Sequence, residues 1–432
     1  MADIAYVQKE SVPPSPPPAG KSGAAAWAKE NLFDGWFNSA LTLASLALIA
    51  WMLPGIVQWA FVDAVWFASS LQECRELGEG ACWAVIVERF DQFIYGFYPS
   101  ELRWRPNLAF ILLFVALAPV LFDNVPYRAQ GMIFSAVYPV VAYWLIWGGS
   151  IWGPAMFVAG FALIGVASTL PARFGIEGGL WGLAAAAVAA VLWFLGPLMG
   201  WATSLFDAIL PFVALEPVES RSIGGFLLGV IIGVAGIAIS LPFGILLALG
   251  RRSNLIFIQT LSVVFIEFIR GVPLITLLFV ANTVLAYFFP PDSNLDIILR
   301  VVIMVTLFAS AYMAEVIRGG LASLPSGQYE AADALGLDYW KSMQLIILPQ
   351  ALKVSIPNIV SSFIGLFKDT TLVIVIGLLD PVGLIGTIRA DSAWNGIVWE
   401  FYVFVGLFFF VACFGMSRYA AYLEAKLKTD HR

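Results

Sequence analysis

Gly319-Gly320-Leu321-Ala322-Ser323-Leu324-Pro325-Ser326-Gly327-Gln328-Tyr329-Glu330-Ala331-Ala332-Asp333-Ala334-Leu335-Gly336 sets a polar, alanine-rich segment between two long apolar runs. Ser326 suits a helix start, and Glu330, Ala331, Ala332 and Ala334 are strong helix formers. Gly336 permits the left-handed turn that ends such a helix. A second helix is expected from Tyr339 to Leu348, interrupted at Pro349. The predicted unit is therefore a short helix, a glycine turn and another helix, inside a loop from about 318 to 358. Small alanines let another surface approach closely, and Glu330 offers a charge to an Arg or Lys across the contact. Docking is one reading of this composition, and a solvated surface helix without a partner is the other.

Outward from this loop the chain is apolar. Of 432 residues, 60% are hydrophobic and 12% charged, against about 25% charged in soluble domains. That balance excludes a soluble globular protein, and the small net charge of −6 among so many apolar residues excludes disorder. A polytopic membrane protein remains. Crossing roughly 30 Å of hydrocarbon takes about 20 apolar residues in a helix. Ten segments approach that length, near 38–61, 107–123, 131–149, 154–170, 178–198, 222–249, 262–287, 297–317, 359–379 and 398–419. Gly and Pro interrupt the third to fifth, which makes eight the fallback number.

The scarce residues narrow the chemistry. No basic block exists to bind nucleic acid, and the one histidine, His431, sits in a polar tail, so neither a histidine base nor a His metal site is expected within the membrane. Cys413 lies in an apolar run, whereas Cys74 and Cys82 stand eight positions apart in a polar stretch; spacing alone leaves a bridge and two free thiols equally open. Residues 1–36, rich in Pro, Gly, Ser and Ala, read as a disordered cytoplasmic tail. Lys and Arg concentrate in cytoplasmic loops, and ten spans with both termini inside put 14 basic residues on the inner side and 7 on the outer. The outer stretch from about 62 to 106 holds Trp66, Trp83 and Trp104 with Tyr95 and Tyr98, which suits an interfacial, extracytoplasmic cap.

The spacing Glu330-Ala331-Ala332, three residues, Gly336, nine residues, Ile346, one residue, Leu348-Pro349 resembles the EAA motif of ATP-binding-cassette (ABC) importer permeases, without a departure. Ser240-Leu241-Pro242-Phe243-Gly244, Glu267-Phe268-Ile269-Arg270-Gly271-Val272-Pro273-Leu274, Tyr312-Met313-Ala314-Glu315-Val316-Ile317-Arg318 and Phe367-Lys368-Asp369-Thr370-Thr371-Leu372-Val373 are similar to blocks of the polar amino-acid branch. The likeness covers about Gly224 to Tyr422, and the long N-terminal extension is similar to the M-type permease of general L-amino acid importers.

This resemblance implies an all-α fold: a five-span type I importer core (MetI-like) at 222–422, preceded by accessory spans at 37–221 and followed by a cytoplasmic tail at 423–432. It implies Glu330, Ala331, Ala332, Asp333, Gly336, Ile346, Leu348 and Pro349 as the element coupling to a cytosolic ABC ATPase. That ATPase would bind ATP and Mg, leaving this chain without cofactor or catalysis. The implied partners are a second, homologous permease in a heterodimer, an extracytoplasmic amino-acid-binding protein, membrane lipid and an L-amino acid substrate. The implied place is a bacterial inner membrane, and the implied mechanism is alternating access.

Charges within spans are costly unless they are paired or face a cavity. Glu267 and Arg270 share a helix face at a spacing of three and could pair, just before Gly271 and Pro273 break the helix; broken helices often line substrate paths. Glu315 and Arg318 repeat the spacing at a span end. Lys368, Asp369, Thr370 and Thr371 interrupt another span. All read as substrate-path candidates, against plainer readings as an interfacial anchor, a snorkelling pair and an internal Lys368–Asp369 ion pair. Gly224, Gly225, Gly229, Gly233 and Gly236 read as a close-packing face. Two other classes stand as alternatives. An ion-coupled secondary transporter should show paired repeats with broken helices, and only one EAA-type loop is present. An intramembrane enzyme needs a nucleophile with a base, and no such set stands out.

Overall fold

A computed structural model describes residues 23–173, 179–211, 214–284, 287 and 296–427. The expected tail before residue 23, and His431 with the end of the C-terminal tail, lie outside the described residues. Among the described residues every regular element is a helix. The chain divides into two compact units, Met1–Val87 and Glu88–Arg432.

In the first unit, α1 (Ala24–Leu32) and α2 (Gly35–Val57) replace part of the expected coil, because Ala24-Ala25-Ala26 with Lys29 and Glu30 is a good helix former. α2 is apolar on all sides, as a lipid-exposed span requires. It continues through a π turn, Gln58–Val62. Beyond it α3 (Leu71–Leu77) is capped by Ser70, whose side chain accepts from the Glu73 N–H. Cys74 and Cys82 are joined in a disulfide with Cα atoms 6.0 Å apart. Val65 donates to Ala81 O (2.8 Å), and the Trp83 indole donates to Ala60 O (2.7 Å). The stretch expected to form one cap divides at this unit's boundary. α4 (Ala84–Glu88) spans the boundary, and α5 (Phe90–Tyr95) belongs to the second unit, where Phe93 and Tyr98 are buried.

Four accessory elements follow: α6 (Trp104–Leu121), α7 (Arg128–Trp147), α8 (Trp152–Arg173) and the broken pair α9 (Gly179–Ala190) and α10 (Leu198–Ile209), interrupted at Gly196-Pro197. The core then comprises α11 (Gly225–Arg251), α12 (Ile256–Gly271), α13 (Leu274–Thr283) and α14 (Ile297–Ala322). After it come α15 (Ser326–Ala334), α16 (Tyr339–Ser342), α17 (Leu348–Asp369), α18 (Pro381–Arg389) and α19 (Trp399–Leu427). Among the described residues, eight helical segments are long and apolar enough to cross a membrane, or up to ten if each of two bent pairs is one span. α12 and α13 bend by 103° at Val272-Pro273, where proline cannot supply the ladder N–H.

Within the second unit, α6 and α7 pack with the core helices across residues 221/222. Tyr98, Ala109, Leu145 and Ile146 share one buried cluster with Leu228, Ile232, Leu274 and Val305. Backbone hydrogen bonds cross the same join: the Phe97 N–H donates to Ser222 O (3.0 Å) and the Gly224 N–H to Tyr95 O (3.3 Å), while Arg105 Nη1 donating to Glu216 O (2.6 Å) and Trp147 Nε1 to Ser220 Oγ (2.6 Å) hold the segment that leads into it. Inside a bilayer, helices are held by van der Waals fit more than by water exclusion, so small residues mark the contacts. On α11 a Cβ added at Gly233 would lie 2.9 Å from the Phe367 ring, and one at Gly236 would lie 3.1 Å from Val305. Larger residues there would force α17 and α14 away.

Candidate coupling and translocation site

The loop quoted at the outset is shorter than 318–358. α14 continues to Ala322, and a helical run resumes at Tyr339, because the sequence after Pro349 is apolar enough to enter the bilayer. Ser326 is the first residue of α15 rather than its cap, and no side chain caps that end. Nor does Pro349 stop the helix. A π turn at Met343–Ile347 shifts the hydrogen-bond ladder ahead of it, and Pro349 then occupies the first turn of α17, where a missing N–H is tolerated. Gly336 adopts φ +68°, and its N–H donates to Asp333 O (2.9 Å), closing α15 as a left-handed turn.

The motif residues divide into two sets. Ala332 is fully buried, and Ile346 and Leu348 pack on a core cluster with Ile317, Ile347 and Ala351, so these three anchor the loop. Glu330, Ala331, Asp333, Gly336 and Pro349 are exposed. Leu335 (73% exposed), Trp340 (63%) and Leu345 (69%) are exposed apolar side chains that follow the acidic residues, the last two in the first turns of the helical run from Tyr339. Gln328 and Gln350 join α15 to α17 by a 3.0 Å hydrogen bond.

Beside this element lies a charge cluster whose wiring differs from the expected one. Glu267 and Arg270 do not pair with each other. Glu267 accepts from Arg251 (2.7 Å), and Arg270 lies 3.7 Å from Glu315 and over the Tyr312 ring. Glu315 is the hub: Arg251 approaches it at 2.9 Å and Arg318, on its own helix, at 3.0 Å. One carboxylate thus holds α11, α12 and α14 together. The expected Glu267–Arg270 pair gives way to partners on other helices, whereas the expected Glu315–Arg318 pair forms. Glu315 also lines a cavity of about 350 Å³ between α14 and α17, with Val316, Gly319, Ser323, Val354 and Asn358.

Lys368, Asp369, Thr370 and Thr371 form a separate group, thirteen or more residues along α17 from Ser355 and hence about 20 Å from the Glu315 end. Consecutive residues on a helix face different ways, and Lys368 and Asp369 make no ion pair with each other among the described residues. Lys368 is exposed, Asp369 partly buried and Thr370 buried. Thr370 Oγ1 donates to Phe367 O (2.8 Å) and Thr371 Oγ1 to Lys368 O (3.0 Å), which satisfies carbonyls as α17 passes into a 3-10 turn. The sequence reading missed a stripe on this helix. Val354, Asn358, Ser361 and Lys368, with Gly365 between the last two, recur at intervals of four and three, and the four named first are exposed. That spacing puts them on one face, and it could have been read from the sequence. Arg251 and Arg252, which follow an apolar run, are legible in the sequence as charges but not as contacts.

No group of three His, Cys, Asp or Glu side chains that could hold a metal occurs among the described residues.

Comparison with known proteins adds to this geometry. The sequence model of the family described as binding-protein-dependent transport system inner membrane component matches residues 240–429. The glutamate/glutamine/aspartate/asparagine transport system permease protein BztC of Rhodobacter capsulatus is 52% identical, with 100% of both chains aligned. The inner membrane amino-acid ABC transporter permease protein YhdY of Escherichia coli is 41% identical over 97% of each chain. Among solved structures, an amino acid ABC transporter crystallised with histidines is 28% identical, covering 46% of this chain and 90% of that one at a TM-score of 0.41.

Proposed function

Because the chain belongs to the family of amino-acid ABC transporter permeases, in which the permease carries no catalysis and a separate ATPase supplies the energy, we propose that α15 is its ATPase-docking element and one face of α17 its translocation wall. The observation that carries the docking reading is the exposed acidic and apolar surface of Glu330, Asp333, Leu335 and Trp340, set on a base fixed by buried Ala332 and Ile347. Exposed apolar side chains that follow charged ones are suited to another protein. ATP-driven closure of the ATPase subunits would displace α15 and rock the spans joined to it.

The stripe on α17 supports the second half of the proposal. Asn358, Ser361 and Lys368 would be costly against hydrocarbon, and they are tolerated where the face meets a water-filled path or another permease. A homologous second permease opposite this face completes the path, and the charge cluster at Glu315 stands at its inner end. An amino acid offers a carboxylate and an ammonium, and Lys368 with Asp369 presents one group of each complementary sign. By likeness to BztC, whose name gives glutamate, glutamine, aspartate and asparagine, polar L-amino acids are the substrates, handed over by an extracytoplasmic binding protein. Basic residues placed by the loop pattern put both termini in the cytoplasm. The Cys74–Cys82 disulfide suits an outer, oxidising side for its loop.

The test is uptake of radiolabelled L-glutamate and L-glutamine by the complete complex in proteoliposomes, comparing the native chain with Glu330→Arg and Gly336→Asp. Loss of both uptake and ATPase co-purification, with membrane insertion intact, is the expected result. Uptake that persists without an ATPase would overturn the reading in favour of an ion-coupled transporter.

A further inference from the structure

Two consecutive arginines end α11 and grip different elements. Arg251 reaches Glu267 on α12 (2.7 Å) and Glu315 on α14 (2.9 Å). Arg252 donates to the Tyr329 hydroxyl on α15 (3.0 Å), and its guanidinium carbon stands 5.5 Å from the centre of the same ring. The Tyr329 hydroxyl in turn donates to Leu321 O at the end of α14 (3.3 Å). Side chains at i and i+1 do not share a helix face, so one helix end is held from two sides.

The chain connects α15 covalently to α14 through Ser323–Pro325 and to α17 through residues 335–347. No such connection joins it to α11 or α12. Apolar contacts between them can slide, whereas a hydrogen bond combined with a cation over a ring fixes direction as well as distance. We propose that Arg252 and Tyr329 are positioning residues that carry movement of α15 to the end of α11, and that Arg251 with Glu315 passes it on to α12 and α14. The proposal rests on α15 being the ATPase-docking element. It makes the span pair α11–α12 a driven part of the stroke rather than a passive neighbour. The bend at Val272-Pro273 then lies at the end of the driven helix, where a shift of α12 would change the angle to α13.

The experiment measures amino-acid uptake and ATP hydrolysis in the same proteoliposomes, with radiolabelled L-glutamate and L-glutamine as probes. Arg252→Ala and Tyr329→Leu are expected to lower the amino acid moved per ATP about three- to tenfold, the scale of losing one charge-assisted contact. In Arg252→Ala, ATPase co-purification, basal hydrolysis and the melting temperature of the complex stay at native values. Arg252→Lys keeps a cation over the ring and recovers most of the ratio, a rescue that a merely structural role would not require. A native ratio in Arg252→Ala overturns the proposal, and so does a loss of ATPase association in that variant, which would make Arg252 part of the docking face. Glu330→Arg separates the two failures. If it leaves association intact, the docking reading of α15 is wrong. If it abolishes association while Arg252→Ala transports normally, only the route through Arg252 and Tyr329 is wrong.

Discussion

Gly319 and Gly320 are neighbours on α14 with opposite surroundings, and replacing each by alanine tests whether contact between α14 and α17 sets the stability of the core. A Cβ at Gly320 would stand 2.0 Å from Ser355 Oγ and 2.6 Å from Ala351 O. The serine can rotate away, but the Ala351 carbonyl is backbone, and to restore van der Waals contact α14 and α17 would have to separate by roughly half an ångström to one ångström. Overpacking of this kind costs about 1–3 kcal/mol, partly offset by about 1 kcal/mol that alanine gains over glycine in a helix. At Gly319 an added Cβ meets nothing within 4 Å, so only the helix gain of about 1 kcal/mol remains. The two variants should therefore differ by roughly 1–3 kcal/mol, with Gly320→Ala at or below the native protein and Gly319→Ala above it. Thermal unfolding of the purified complex in detergent, followed by intrinsic fluorescence at a fixed scan rate, reads this as a lower apparent melting temperature for Gly320→Ala than for Gly319→Ala. Equal melting temperatures for the pair would refute the argument that this glycine is held small by the backbone of α17.

Three further outcomes follow from named contacts. Glu315→Gln should destabilise the complex by about 2–4 kcal/mol because it leaves three guanidiniums without their shared acceptor, whereas Glu267→Gln, at a site 54% exposed against 16% for Glu315, should cost under about 1 kcal/mol; thermal melts in parallel distinguish them. Gly336→Val should lose more uptake than Gly336→Asn, since φ +68° costs a β-branched residue about 1–2 kcal/mol and asparagine much less; initial rates of uptake at matched expression give the order. Asp380 caps α18 by accepting from the Val382 and Gly383 N–H groups, and burial pushes its carboxyl up to about 6 from the ordinary 3.8. The fold therefore holds the proton more tightly than the unfolded chain does, and stability is lost as pH climbs from about 4 through 6, by about 3 kcal/mol. Asp380→Asn cannot ionise, so its melting temperature should gain on the native protein between pH 4.5 and pH 7.5. A constant difference across that range would exclude the burial argument.

Much of the site was legible before any coordinates. The spacing from Glu330 to Pro349 marked the element on which the proposed docking rests, and Gly336 was expected at a left-handed turn, which is where it stands. Pairing was not legible. Glu267 and Arg270 satisfy the helical spacing rule, yet each pairs with a residue on another helix, because Arg251 and Glu315 come within ion-pair reach from α11 and α14. The same limit applies to Pro349, where the sequence rule for a helix stop is overridden by a π turn that only the path of residues 343–347 reveals.

By itself the sequence determined that this chain is helical and membrane-embedded, since apolar runs of sufficient length and so few charges leave no soluble alternative. It also marked the break at Gly271 to Pro273, because proline acts through its own backbone. Only the tertiary structure decided that α6 and α7 share a core with α11, α13 and α14, which glycines must stay small, and that a single carboxylate at Glu315 joins three helices. Those features depend on which distant faces meet, and one-dimensional spacing records a residue's own helix but not the helix across from it.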